Sequence, residues 1–451
     1  MNHKKDHIKK ERFIPWYRPF NKVDNIFNKW AYAILFQIGL LTLANANLLG
    51  GIQTFENWQY TEDGGCLTIT GYQGKPDYPR GKRVLKIPNE IKGKPVTVIS
   101  SNIFMAKKAK TLSADPMTLV IPEGVTNISK NAFRDFRLAI DEIILPKTLT
   151  IIQSNLFADL TDLKRINIPE SVTSIEDSSF KGCSQLENII IPNKVERIGK
   201  RAFSGCRNLT NLVIGVSVKN IGKLAFDECR SLKSIEIPNS VTNIEGRAFC
   251  RLLITNISFG QGLTTIGQEA FAWCEQIQSI HLPKSIHTIC QGAFQGCRFV
   301  STIQIGSNIT NLEDGVFALC DKLNSVNIED GITVIPSNLF FGCSNLTNII
   351  IPTTVTKIKK WAFSNCTNLE SISLPNGITS IEESAFEGCS KLVNIHIPAG
   401  ITNIGTAAFF NCKQLNTDTL KMLPSQALKQ NKVVEEDVSP EQSEEYRKRW
   451  E

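Results

Sequence analysis

The chain has 451 residues, with 50 Lys and Arg against 43 Asp and Glu, a formal net charge of +7. With 42% hydrophobic and 21% charged residues, the composition excludes an intrinsically disordered chain and a multi-span membrane protein. Thirteen cysteines is an odd number, so they cannot all pair within one chain.

The charge is unevenly placed. Residues 1–30 carry eight Lys and Arg, from Lys4 to Lys29, against Asp6, Glu11 and Asp24, a balance of +5. An apolar stretch then runs from Trp30 to Leu43 and ends at Ala44-Asn45-Ala46, a small-x-small site that a signal peptidase could cut. Its 13-residue core, Ala31 to Leu43, is about 20 Å long as a helix against roughly 30 Å of hydrocarbon. Basic region, apolar stretch and A-x-A in that order predict a secretory signal over 1–46. The unusually long basic leader leaves open an uncleaved membrane anchor, or an intracellular chain with a misleading apolar helix. Residues 31–46 are uncharged, so 47–451 carry only +2; the basicity belongs to the leader, not to a nucleic-acid-binding body.

A single period dominates the chain from about residue 96 onward. Phenylalanines stand at 133, 157, 180, 203, 226, 249, 271, 294, 317, 340, 363, 386 and 409, spaced by 23 residues except for one gap of 24 and one of 22. Five residues before each is Ile, with Leu312 the exception; eight before is Val, Leu or Ile; eleven before is often Pro, and three after is Cys in ten of the thirteen. One unit, Leu186 to Asn208, reads L-x-x-I-x-I-P-x-x-V-x-x-I-x-x-x-A-F-x-x-C-x-x. The alternation L-x-x-I-x-I predicts a short half-buried strand, and the Pro, lacking an N–H, ends it. The three-residue offset in A-F-x-x-C predicts a single helical turn that drops the ring and the sulfur inward. One unit buries too little apolar surface to offset the ordering of its backbone, so units must stack as a one-dimensional solenoid.

Thirteen registered units over Val96 to Leu415 closely resemble the BspA-like, or Treponema-type, leucine-rich repeat. That resemblance implies a repeat solenoid: a right-handed β/α leucine-rich-repeat fold with short strands on a concave face and single helical turns on the other side. Gly64 to Tyr72, with Ile87-Pro88 and Pro95 to Ile99, is similar to that family's amino-terminal cap, and Ile99 with Phe104 fits a degenerate first turn. Gly215, Gly260, Gly306 and Glu329 depart from the pattern by replacing the Pro, and the turn from Cys250 to Ile254 is a residue short. The expected organisation is a signal or anchor over 1–46, a cap with a degenerate repeat over 47–110, about thirteen repeats over 111–415, and a C-terminal cap with a charged helical tail over 416–451. In that tail Ser439-Pro440-Glu441-Gln442 is a helix-start signature.

Ten cysteines in register invite a disulfide spine or a metal wire. Equivalent positions on stacked turns point the same way, whereas a disulfide needs its Cβ atoms turned toward each other, and no C-x-x-C spacing offers zinc a site. They are expected to pack as small buried hydrophobes. His281 and His396 lie five turns apart, roughly 24 Å at strand spacing, too far to share a metal, and His287 is expected on the outer side. No cofactor, metal or catalytic motif is expected, and the chain is read as non-enzymatic.

What remains is the outward strand face. The fifth place of each unit holds Asn167, Ile190, Val213, Glu236, Ser258, His281, Gln304, Asn327, Ile350, Ser373 and His396; the third, such as Asn188, Ser234 and Ser325, is mostly Asn, Ser and Thr. The third-place side chains are expected to bond neighbouring backbone and hold the sheet, the fifth to point outward. This face lacks the Lys and Arg of a nucleic-acid binder. A protein ligand would favour Ile190 with Val213, or Ile350 with Thr347, whereas a glycan site would need aromatic platforms that the columns lack. The resemblance implies a secreted or cell-surface adhesion or protein-binding module, its partner a host or neighbouring-cell surface protein on the concave face, with membrane contact only through an uncleaved leader. The alternatives are a carbohydrate-binding or structural envelope protein, or an intracellular scaffold if the leader is not a signal.

Overall fold

The computed structural model describes residues 52–73, 83–104, 116–134 and 139–416; the expected signal or anchor and the charged C-terminal tail lie outside them. Apart from the coil of His281, each described coil carries two short strands. The L-x-x-I-x-I segment gives the first, as in Asn188–Ile190, and the x-Ile pair five to six residues before Phe gives the second, as in Arg197–Ile198. Where paired, both run parallel to their counterparts in the next coil at a constant register, as Ile189 faces Leu212 and Ile198 faces Ile221; the first ladder is interrupted after Arg165–Ile166, Asn211–Val213 and Asn256–Ser258. The second strands form one eight-stranded sheet from Ile151–Ile152 to Asn311–Leu312 and a four-stranded one from Val334–Ile335 to Asn403–Ile404. The break between them has a covalent cause. On either side, the residue after the Ile (Leu312 in one coil) donates to the preceding coil, as Glu313 N to Ile289 O and Lys359 N to Ile335 O, both 3.0 Å. The equivalent residue at the break is Pro336, which has no N–H.

The inward positions of one coil, including Leu186, Ile189, Val195, Ile198, Phe203 and Cys206, are all 0% exposed. From Phe133 to Phe409 the rings form one continuous stack, with centroids 5.1–6.1 Å apart. At the N-terminal end Gln53–Phe55, Trp58–Asp63 and Cys66–Tyr72 make an antiparallel meander whose last strand pairs with Lys94–Ile99, itself paired with Asn127–Ile128. Trp58, Tyr72 and Phe104 cluster there, and Phe104 lies 5.9 Å from Phe133, so aromatic rings close the stack.

The A-F-x-x-C segment is not the helical turn that its spacing predicts. Ala202 N, Ser204 N and Cys206 N each bond the carbonyl three residues back, while Arg201 N, Phe203 N and Gly205 N donate sideways to Lys223, Ala225 and Asp227 of the next coil at 2.8–2.9 Å. Alternate amides therefore tie coils together, which a helix would not allow because its amides point along its own axis. The geometry requires left-handed backbone two residues before and two after the Phe, as the third residue of a type II turn. Arg201 (φ 55°) and Gly205 (φ 81°) occupy these places in one coil, and Leu224 (φ 59°) and Trp361 (φ 55°) fill the first of them elsewhere. A long side chain in that region costs of order 1 kcal/mol, a penalty offset by the lateral hydrogen bonds.

The cysteines fall where a thiol can donate. Each ladder Sγ lies 3.0–3.5 Å from the Phe carbonyl oxygen of the preceding coil, as Cys206 to Phe180 at 3.3 Å and Cys274 to Phe249 at 3.0 Å. In the short coil Leu252 takes the Cys place, fully buried. All thirteen cysteines are unpaired, and Cys66 is exposed. Burial pushes the Cys320 and Cys412 thiols up to about 12 and Cys250 to about 11.

Phe226→Ala removes a fully buried ring stacked at 5.3 and 5.2 Å on Phe203 and Phe249 and should destabilise by about 3–5 kcal/mol; an unchanged melting temperature would place that ring outside the core. Alkaline pH should also weaken the fold. Because folding raises the pKa of buried thiols such as Cys320, Cys343 and Cys412, their stabilising contribution is full below the unfolded-state value near 9 and is lost as pH rises toward the folded values. Each thiol then forfeits about 1.4 kcal/mol per pH unit. Melting temperature should be level below about pH 8 and fall steeply above about pH 9, less steeply in Cys320→Ala/Cys343→Ala; identical slopes would reject this account.

Candidate functional site

The first strands alternate exposed, buried, exposed, as in Asn188, Ile189, Ile190 and Ser234, Ile235, Glu236. Every fifth-place residue from Asn167 to His396 is exposed, and strand pairing brings neighbours together coil by coil: Ile190 beside Val213, Glu236 beside Ser258, Gln304 beside Asn327, and Ile350 beside Ser373. His281 lies in a coil with no assigned first strand, between Asn256–Ser258 and Thr302–Ile305.

Third-place residues such as Asn188, Asn211, Ser234 and Ser325 are exposed as well and among the described residues donate no side-chain hydrogen bond to a neighbouring carbonyl, which corrects their expected role in holding backbone. The hydroxyls that tie coils stand elsewhere. One column precedes the second strand, where Thr379 Oγ1 donates to Thr356 O and Thr402 Oγ1 to Thr379 O, both at 3.1 Å. Another follows the Pro, where Ser240 Oγ donates to Val218 O at 2.8 Å and Ser171 Oγ to Leu149 O at 2.6 Å. Strand geometry explains this: side chains at places three and five stand perpendicular to the sheet and cannot reach its carbonyls.

On this neutral face the exposed aliphatics Ile190 and Val213 stand side by side at 60% and 47% exposure, Ile144 at 48% stands two coils before Ile190 with Asn167 between, and Ile350 at 73% stands farther along. A depression of about 610 Å³ lies among Ile144, Lys147, Arg165, Asn167, Glu170 and Asn188. It coincides with a seam: the sheet ending at Arg165–Ile166 is not strand-paired to that beginning at Asn188–Ile190. Periodicity gives no sign of the seam, because Leu186 and Ile189 keep the motif on its far side. Arg165 donates to Asp141 at 3.0 Å and lies 3.5 Å from Glu142; the Glu142 carboxylate, with Asp141, pushes the guanidinium above its ordinary value. Gln304 is tied down, its Nε2 donating to Glu329 at 2.8 Å. The Ser307 backbone N–H and Gln304 hold that carboxyl below its ordinary range. Among the described residues no group of three or more His, Cys, Asp and Glu side chains is arranged to hold a metal ion.

The family model for the BspA type leucine rich repeat region, in six copies, matches residues 97–233, 196–324 and 310–430. The chain belongs to the BspA-type leucine-rich repeat family. Among solved structures it is similar to a leucine-rich repeat protein from Bacteroides ovatus ATCC 8483, at 28% identity and a TM-score of 0.70 over 81% of this chain and 93% of that one. A leucine rich cell surface protein from Faecalibacterium prausnitzii A2-165 shares the fold at 23% identity and a TM-score of 0.50, over 86% of this chain and 98% of that one. No curated protein matches the chain. BspA-type repeats are binding scaffolds typical of cell surfaces, and in this chain Ser258 and Ser373 stand exposed on the outward strand column. Substituting Ser258→Lys or Ser373→Lys should therefore shift stability by less than about 0.5 kcal/mol; a larger loss in denaturant titration would assign these positions to the fold.

Proposed function

We propose that this BspA-type solenoid is exported and binds a protein on its strand face, acting in adhesion at the cell surface. The observation that carries the reading is the pair Ile190 and Val213, held outward on paired strands, with Ile144 across the depression at Arg165. Exposed aliphatics are ordinary when scattered, but a cluster on a rigid wall, rimmed by amides and hydroxyls, has the makeup of an interface core with a polar rim. The two outward columns from Asn167 to His396 contain no aromatic residue, which favours a protein over a glycan on this face. Export rests on the order of basic leader, apolar stretch and A-x-A in residues 1–46 and on the usual surface placement of the family.

The test has two arms. Cell fractionation with protease accessibility should find the chain outside the cytosol; a full-length cytosolic chain would overturn export and adhesion together. Ile190→Asp/Val213→Asp should leave the melting temperature unchanged and weaken capture of the surface ligand at least tenfold, about 1.4 kcal/mol or more. Unaltered capture would move the interface off this patch.

A further inference from the structure

The turn face, built from residues 200–205 and their equivalents, is separate from the strand face. In several coils its left-handed positions are filled by Ser178, Gly182, Gly292, Gly315, Asn338 and Gly342, small or amide residues suited to positive φ. Across the coils of Phe203 to Phe271 most of those places hold long side chains instead, including Arg201, Leu224, Arg247, Arg251 and Trp273 at φ 55–60°. Long residues recur singly farther on, at Leu319 and Trp361. Strained positions gathered in one stretch point to a selected surface.

That stretch is also the basic part of the solenoid. Lys200, Arg201, Lys223 and Arg251 are exposed and form no ion pair with a described carboxylate. Arg207 and Arg230 share Glu228, at 3.0 and 3.8 Å, and Arg247 pairs with Glu269 at 2.6 Å. Asp227 lies close enough to Arg251, Arg201 and Arg247 to feel their charge. With Glu245 and Glu275 included, seven cations face five carboxylates, a balance of +2. Residues 47–451 as a whole carry +2, so this patch accounts for the whole net charge of that chain. The cations do not converge on a point. Arg201 and Arg247 stand in one column two coils apart, roughly 10 Å at strand spacing, with Lys200 and Lys223 in the column beside them.

We propose that the turn face of the coils centred on Phe203, Phe226 and Phe249 binds a sulfated polysaccharide. A linear polymer with a permanent anion on successive sugars can lie along the solenoid axis and meet one cation after another. Duplex nucleic acid fits poorly, because three coils span only about 10 to 15 Å and a duplex binder gathers many more phosphate contacts. Single strands need aromatic platforms for their bases. The neighbouring Trp273 is engaged: its ring lies against the next coil so closely that a Cβ on Gly296 would come within 2.5 Å of it, and the Arg298 guanidinium lies 6.0 Å from its centroid.

The full chain on immobilised heparin should bind with an affinity that falls on the order of 50-fold between about 50 and 200 mM salt, as four neutralised anions require. Arg201→Gly/Arg251→Gly removes two free cations at positions where glycine is at ease, so heparin affinity should fall about tenfold with the melting temperature unchanged or raised. Equal affinity of wild type and variant would overturn the proposal and assign any binding to another basic segment, such as residues 1–30. Equally tight binding to desulfated heparin would overturn it too. Single-stranded DNA bound as tightly as heparin, and lost in the same variant, would replace it with a nucleic-acid surface.

Discussion

Every coil must offer its donors where its neighbour offers acceptors, and that lateral register is the constraint on which the rest of this structure depends. Four kinds of group obey it at once: the two strand ladders, the alternate amides around each Phe, the Thr and Ser hydroxyl columns, and the Cys thiols reaching back to the preceding Phe carbonyl. The stacked rings fill the space between. Because each group is bonded to its own counterpart one coil away, a change within one of these columns is felt in the neighbouring coils. Stability is thus shared between neighbours rather than stored in any one unit, and the ends need a different device, which the Trp58, Tyr72 and Phe104 cluster supplies at the N-terminal side.

The register has a backbone cost. Meeting the next coil with alternate amides requires two left-handed residues per turn, and many of these are not glycine. Where the sequence withholds a donor, as at Pro336, the second ladder stops, yet the first ladder continues across the same step, with Thr302 to Ile305 facing Ser325 to Ile328. The reverse holds at Ile166, where the first ladder has a seam and the second, from Ser174–Ile175 to Arg197–Ile198, is unbroken. Redundant lateral ties let one side of the coil open without unstacking the solenoid, and the depression beside Arg165 lies at such a place.

The two surfaces proposed to bind differ in physical character. On the strand face most outward side chains hold nothing in the fold, Gln304 and Arg165 excepted, so aliphatics such as Ile190 and Val213 can stand exposed without straining it. On the turn face side chains project from strained positions and carry charge, so their placement is more restrictive. A neutral wall with apolar points and a narrow basic band are complementary to ligands of different chemistry, and one rigid array can present both.

Much of this was legible in the sequence. The 23-residue spacing of Phe, with Ile, Val, Pro and Cys at fixed offsets, determines the solenoid, the buried columns and the outward direction of Asn167 to His396, because a repeat with one apolar face has no other way to bury it. The A-F-x-x-C spacing misled for a physical reason: a three-residue offset fits both a helical turn and linked β-turns, and only the pairing with the next coil decides between them. The same holds for the hydroxyls, since Thr379 and Ser234 are equally polar in sequence and only the direction of each side chain separates a tie from a free surface. The seam at Ile166 and the gathering of Arg201, Lys223 and Arg251 onto one band likewise depend on contacts between residues about 23 positions apart. The order of residues alone dictates what each coil buries; the stacking of coil on coil settles which polar groups are spent on the neighbour and which are left for a partner.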